Sequence, residues 1–289
     1  MRILITGKES FIGTNFIRYS KFRQIDEVSL LDNKPEEIDF GSYDVVLHVA
    51  AIVHQTRKIP QSHYFEVNRD LCLRTAICAK KGGIKQFVFI STLKVYGEPK
   101  DEKELRDEKS ECSPSDPYGR SKLEAEMALH ELEDENFVVS IIRSSVVYGE
   151  GVKANILSLI NLISRFGVLP LGGINNKRNF VYIENLTGYI DAVILKRISG
   201  TFIAIDPKPL STTEIVRMIS HSLGKKLILF GLPQWTIRLC NIFFPATFGR
   251  LFGSLEFSNR ETLRQLEYEI PVDSAEGIRR TVNAWRKAK

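Results

Sequence analysis

The residues best suited to move a proton are Tyr118 and Lys122, the ends of the stretch YGRSK. A proline-punctuated loop, SPSDP (113–117), precedes them, and a helical pattern, LEAEMALHELE, follows. On a helix, residues four apart share one face, roughly 6 Å apart along the axis. A free phenol titrates near ~10, so holding it as a phenolate near neutrality takes roughly 4 kcal/mol of preferential stabilisation. An ammonium one turn away, together with a positively charged cofactor ring, supplies charge of the right sign. Taken alone, the spacing is equally that of a solvated helix face. The surrounding elements decide between the two.

Just upstream, QFVFISTLKVYG (86–97) reads as a buried strand ending in hydroxyls, Ser91 and Thr92. A hydroxyl donor beside a phenol would stabilise developing alkoxide charge. Plain backbone capping is the other use of Ser-Thr at a strand end. Between this strand and the YGRSK helix lies a charged insert, EPKDEKELRDEKSE, which reads as mobile.

The chain begins as strand, glycine turn and helix: RILIT, GKESFIG, TNFIRYSKF. The next strand, EVSLLD, closes at Asp32, twenty-five residues after Gly7. That spacing suits an acidic side chain meeting an adenosine ribose in a βαβ nucleotide fold. Gly7 permits the tight turn, Gly13 lets helix and strand pack closely, and first-turn N–H groups face a pyrophosphate. A carboxylate at Asp32 accepts from both ribose hydroxyls and repels a 2′-phosphate, favouring NAD over NADP. The strand YDVVLHVAA (43–51) ends in Ala50 and Ala51, small enough for a cofactor to approach the backbone. His48 reads as a packed core histidine, and His54 as a loop residue within reach of a substrate. EVNRDLCLRTAICAKKGG (66–83) is a helix stopped by Gly82-Gly83.

Composition bounds the rest. The 289 residues are 43% hydrophobic and 26% charged, as in a globular protein with a large core. A net charge of +5, without runs of like charge, gives no reason to expect a nucleic acid partner. The four cysteines and five histidines match no zinc spacing, so no metal is expected. The start reads as a strand rather than a targeting peptide, which suggests a reducing, cytoplasmic setting.

In order, Gly7…Gly13, Asp32, HVAA, Asn68, STLKVYG and YGRSK resemble the extended short-chain dehydrogenase/reductase family. The likeness is to its NAD-dependent nucleotide-sugar epimerase/dehydratase branch. The family turn is T-G-x-x-G-F-I-G; here Ser10 stands at the middle glycine, followed by Phe11, Ile12 and Gly13. The resemblance implies a Rossmann-type, doubly wound parallel sheet with a smaller C-terminal lobe. The nucleotide domain would comprise 1–150 with about 181–206, and the nucleotide-sugar lobe about 151–180 with 207–289. It places Ala50, Ala51, Asn68 and Ser91 beside the dinucleotide, and Asp39-Phe40 near its adenine. Lys122 would bond the nicotinamide ribose, and Thr92 the reacting sugar oxygen.

In the second half, VVSIIRSSVVYGEG resembles the family segment R-P-x-x-V-Y-G-P-G, with Ser144 and Glu150 replacing prolines. The resemblance gives Asn155 and Arg178 to the substrate diphosphate, a task a guanidinium fork suits. The pattern VKAN…NKRNFVYIENL is like that of bacterial surface-polysaccharide enzymes, either UDP-N-acetylhexosamine 4-epimerases or 4-keto reductases. A 4,6-dehydratase needs an acid/base pair after the hydroxyl, and Leu93-Lys94 stand there instead. An idle nucleotide sensor on the same fold is the rival from another class. The family also implies a homodimer through helices including 119–133. The apolar tail 232–255 is interrupted by Arg238, Pro245 and Arg250, too often to span a bilayer. It reads as helices lining the sugar pocket or as a membrane-surface contact.

Overall fold

Short apolar runs separated by helical stretches pair naturally in parallel, each return passing through a crossover. The computed structural model describes residues 1–53, 59–99, 101, 104–233, 236 and 251–289. Six runs form one sheet: β1 (Arg2–Thr6), β2 (Gln24–Val28), β3 (Val45–His48), β4 (Gln86–Thr92), β5 (Val138–Ser144) and β6 (Gly200–Ala204). Every pairing is parallel, in the order β6-β5-β4-β3-β1-β2. The chain moves from β1 out to β2, then crosses to β3 on the other side of β1. The crevice at the carboxyl ends of β1 and β3 is therefore the switch point at which such sheets take ligands.

The helices among the described residues are α1 (Phe11–Tyr19), α2 (61–81, with Glu66–Leu71 π-helical), α3 (Pro117–His130), α4 (Ala154–Arg165), α5 (Ile183–Lys196), α6 (Thr212–Ser222), α7 (Arg260–Leu266) and α8 (Ser274–Lys287). Strand alternation sorts the core into two layers. Ile3, Ile5, Val88, Ile90 and Ile142 meet Phe16 of α1 and Leu186, Ile190 and Val193 of α5. Leu4, Val46, Phe87, Phe89 and Ile141 meet Ala76 and Ala79 of α2 and Ala125 and Leu129 of α3. This is the doubly wound α/β architecture. The first layer continues without a break through Ile156, Leu210 and Ile219, so the second half shares its core with the sheet.

Two expectations are corrected. The second strand ends at Val28, whose carbonyl accepts from Gly7 N at 2.9 Å and Lys8 N at 3.2 Å. Its neighbour β1 stops at Thr6, so Ser29–Asp32 have no ladder to join, and Asp32 lies exposed in the turn that follows. The charged insert, for its part, is anchored. Leu105–Arg106 pairs with Glu256–Phe257, and the buried Arg106 guanidinium donates to the carbonyls of Tyr96, Gly97 and Glu98 at 2.9–3.0 Å. His54 and most of the apolar tail (234–235 and 237–250) lie outside the described residues.

Candidate active site

Tyr118 enters the site because α3 starts where it does. Asp116 caps the helix, accepting from Gly119 N at 2.7 Å, and Pro117 occupies the first turn, where its missing N–H is harmless. Gly119 is required for a different reason. A Cβ there would stand 2.8 Å from the Lys94 carbonyl oxygen, so only glycine lets α3 press against the turn that follows β4. This contact brings the phenol near the Thr92 hydroxyl, which acts to lower its pKa. Tyr64 of α2 packs edge-on at 6.4 Å, and Lys94 Nζ, paired with Asp116, lies 5.7 Å from the Tyr118 ring.

Lys122 is 1% exposed, with Nζ 3.7 Å over the Phe89 ring. Burial lowers its ammonium to about 8, partly opposed by Cys72 and Glu126. Tyr118 is pushed up to about 12, first by burial and then by Asp116 and Tyr64, while Thr92 pulls the other way. In the protein alone the phenol is therefore raised, chiefly by burial, and the Lys122 ammonium faces the Phe89 ring. His48 is a packed core residue: Nδ1 meets Thr6 Oγ1 at 2.7 Å, the ring stacks on Phe87, and burial first, then Lys122, holds it neutral down to about 3.

Two residues expected at the cofactor are engaged by protein. Ser91 Oγ donates to Glu126, which also receives the Arg143 guanidinium in a buried pair (Nη2 to Oε2, 2.6 Å). Asn68 donates to Ile52 O and Ser121 Oγ, both at 3.0 Å, and accepts from Ile52 N at 2.8 Å. It clamps the loop after β3 to the YGRSK helix, which makes it a positioning residue in this structure. Glu126 was missed by sequence reading. The signal was present: it is one turn beyond Lys122 and shares the buried face, where a carboxylate demands a cation.

The opposite side of the crevice is built from the glycine turn. Gly7 holds φ at 124°, and a Cβ would meet Ala50 N at 2.8 Å, so the turn and the Ala50-Ala51 loop touch backbone to backbone. Ser10 caps α1, accepting from Gly13 N at 3.0 Å, which gives the residue at the middle-glycine position a structural use. Phe11 and Ile12 form the first turn, whose N–H groups are the natural seat for a phosphate. One carboxylate beside this turn is Glu27. Its Oε1 lies 3.1 Å from where a Cβ on Gly13 would stand, and it is buried without a hydrogen-bond partner among the described residues. An orphaned acceptor beside a bare glycine cradle fits a ribose-bearing dinucleotide.

The candidate substrate residues lie in the second half. Asn155 is exposed on the first turn of α4. Arg178 is partly buried, its guanidinium donating to Gly253 O at 3.0 Å and its backbone bridging to Leu210. Among the described residues no helix is long and apolar enough to cross a membrane, and no group of His, Cys, Asp or Glu is arranged to hold a metal.

Comparison with known proteins agrees with this geometry. The chain is 32% identical over 314 residues to a UDP-glucose 4-epimerase of Vibrio cholerae, covering 99% of this chain and 96% of that one. It is 25% identical over 254 residues to the N-acetyl-alpha-D-glucosaminyl-diphospho-ditrans,octacis-undecaprenol 4-epimerase of Escherichia coli O157:H7, covering 80% and 75%. The fold matches that of the UDP-glucuronic acid 4-epimerase of Bacillus cereus in complex with NAD, with a TM-score of 0.77, 18% identity and coverage of 100% and 99%. A family model for the NAD dependent epimerase/dehydratase family matches residues 3–202. With a parallel sheet, a glycine turn at its switch point and a tyrosine–lysine pair beside it, this chain belongs to that NAD-dependent enzyme family.

Proposed function

We propose that this enzyme carries out oxidoreduction at the 4-carbon of a nucleotide sugar, of UDP-N-acetylhexosamine type, in surface-polysaccharide synthesis. The observation that carries the reading is Tyr118 in the first turn of α3 beside Thr92 at the end of β4, with Lys122 buried one turn along α3. NAD, when bound, accepts or returns the hydride. Gly7, Ser10, Phe11, Ile12, Gly13, Ala50 and Ala51 would form its cradle, with Glu27 as ribose acceptor in place of Asp32. Tyr118 moves the proton of the 4-hydroxyl, Thr92 holds that oxygen, and Lys122 supplies positive charge behind the phenol. Asn155 and Arg178 are the candidates for the diphosphate.

The phenol, pushed up to about 12, stands protonated at neutral pH. That form is ready to donate to a developing alkoxide, a step shared by a 4-keto reductase and by the returning half of a 4-epimerase. The near-complete coverage of a UDP-glucose 4-epimerase favours the epimerase. The N-acetylglucosaminyl substrate named for the Escherichia coli relative supports an acetamido sugar. We place the enzyme in the cytoplasm as a homodimer, with residues 1–150 and 181–206 holding nucleotide and the remainder holding substrate.

The test is to look for NAD retained through purification. The protein is then incubated with UDP-N-acetylglucosamine alone and, separately, with a UDP-4-keto-6-deoxy-N-acetylhexosamine plus NADH or NADPH. Epimer formed without added cofactor selects the epimerase, and cofactor consumed with the keto sugar selects the reductase. Inertness toward both substrates, in protein that binds NAD, would sink the reading.

A further inference from the structure

The net charge of +5 hides an uneven distribution. Between Glu150 and Glu184, and again between Glu214 and Glu256, the sequence has no Asp or Glu at all. Those two stretches hold nine Lys and Arg (153, 165, 177, 178, 217, 225, 226, 238 and 250), leaving 31 against 35 carboxylates in the rest of the chain. The fold brings the two stretches together. Val168–Leu169 pairs in parallel with Ile228–Leu229, in the register Val168 with Ile228 and Leu169 with Leu229.

Alternation along this ribbon turns Leu169 and Leu229 inward to the core and puts four large apolar side chains on the outer face. They are Phe166 (53% exposed), Val168 (53%), Ile228 (66%) and Phe230 (47%). Exposed cations flank them: Arg165, next to Phe166, and Lys226, two residues before Ile228. Four large apolar side chains exposed together on one face of a short ribbon mark an interaction surface.

From this geometry we infer that the ribbon face docks on an anionic lipid bilayer. Apolar side chains would enter the boundary between headgroups and acyl chains, with cations at the rim. The charge pattern argues against the other occupants. A second copy joined through a two-fold axis would set the patch against itself, cation facing cation. A protein partner of ordinary chemistry gives no reason to exclude carboxylates from two long stretches. A nucleic acid finds in Val168 and Ile228 neither hydrogen-bond donors nor a stacking surface. The contact is peripheral and involves no spanning helix. It would hold a sugar-nucleotide enzyme at the surface where lipid-linked glycans are built.

The test is co-sedimentation of the full chain with vesicles of equal parts phosphatidylethanolamine and phosphatidylglycerol, and with vesicles of phosphatidylcholine alone. The wild type should sediment with the first and stay in solution with the second, and added salt should weaken binding. Ile228→Ser with Phe230→Ser should reduce binding about tenfold. Arg165→Glu with Lys226→Glu should reduce it by more, since each cation near an anionic surface is worth roughly fivefold. Unfolding midpoints matching the wild type would show that both variants keep the fold. Failure of the wild type to bind the anionic vesicles, or variants that bind as well as it does, would overturn the inference. So would Ile228→Ser breaking up an oligomer while vesicle binding is untouched, which would assign the face to a second copy.

Discussion

Two carboxylates on either side of the crevice, Glu126 buried and Glu27 half-buried, are treated in opposite ways. Glu126, on the α3 side, takes Ser91 and both arms of Arg143, and nothing is left for a ligand to complete. Glu27, on the α1 side, keeps an unpartnered Oε1 beside the glycine turn, where Glu9 is also held at φ 59°. An unpaired buried acceptor and a left-handed non-glycine residue each cost on the order of 1–3 kcal/mol. The contrast teaches a division of labour. The side that handles the proton is assembled by the protein itself. The side proposed for the nucleotide keeps an acceptor without a partner among the described residues, which a bound ribose would complete.

The largest effect expected from this contrast falls on stability. Glu126→Ala strands a buried guanidinium and should destabilise the fold by about 3–5 kcal/mol in denaturant titrations. NAD affinity of the protein that remains folded should scarcely change. A loss of affinity without a loss of stability would break the comparison.

The second effect is a pH signature of Lys122. Its folded value, about 8, lies below the usual lysine range, so between about 8 and 10.5 the unfolded chain binds the extra proton. The penalty, roughly 3 kcal/mol, is therefore fully present below pH 8 and is lifted as pH rises toward 10.5. The gap in unfolding free energy between wild type and Lys122→Met should narrow or reverse across that window. A gap that does not move with pH would show an ammonium well solvated in the native state.

The smallest expected effect sharpens the other side. Glu27→Gln should weaken NAD binding about tenfold by calorimetry, the scale of one hydrogen bond to a charged group. Stability of the protein without NAD should hold, since Oε1 has no partner among the described residues to lose. If Asp32→Asn weakens binding and Glu27→Gln does not, the ribose belongs to the exposed turn after all.

Much of this was legible in the sequence, for a physical reason. Gly7 and Gly13 sit where close backbone approach dictates residue type, and the strand-turn-helix pattern around them is local. Asp32 was misread because strand register is decided between strands: β1 ends at Thr6, so the ladder stops at Val28 whatever lies beyond. Ser91 and Asn68 were given to the cofactor by the family resemblance; their protein partners, Glu126, Ile52 and Ser121, are remote in sequence and no local pattern shows them. The anchored insert depends on a pairing between Arg106 and Phe257, some 150 residues apart, which no local pattern announces.

The most direct test of the account is the turnover of Tyr118→Phe on the substrate that the wild type accepts. The substitution removes one oxygen and keeps the ring against Tyr64. The account predicts that kcat falls by about 10²–10⁴ while NAD affinity and the unfolding midpoint hold. Turnover close to that of the wild type would contradict it, because the proton would then be moved by another group.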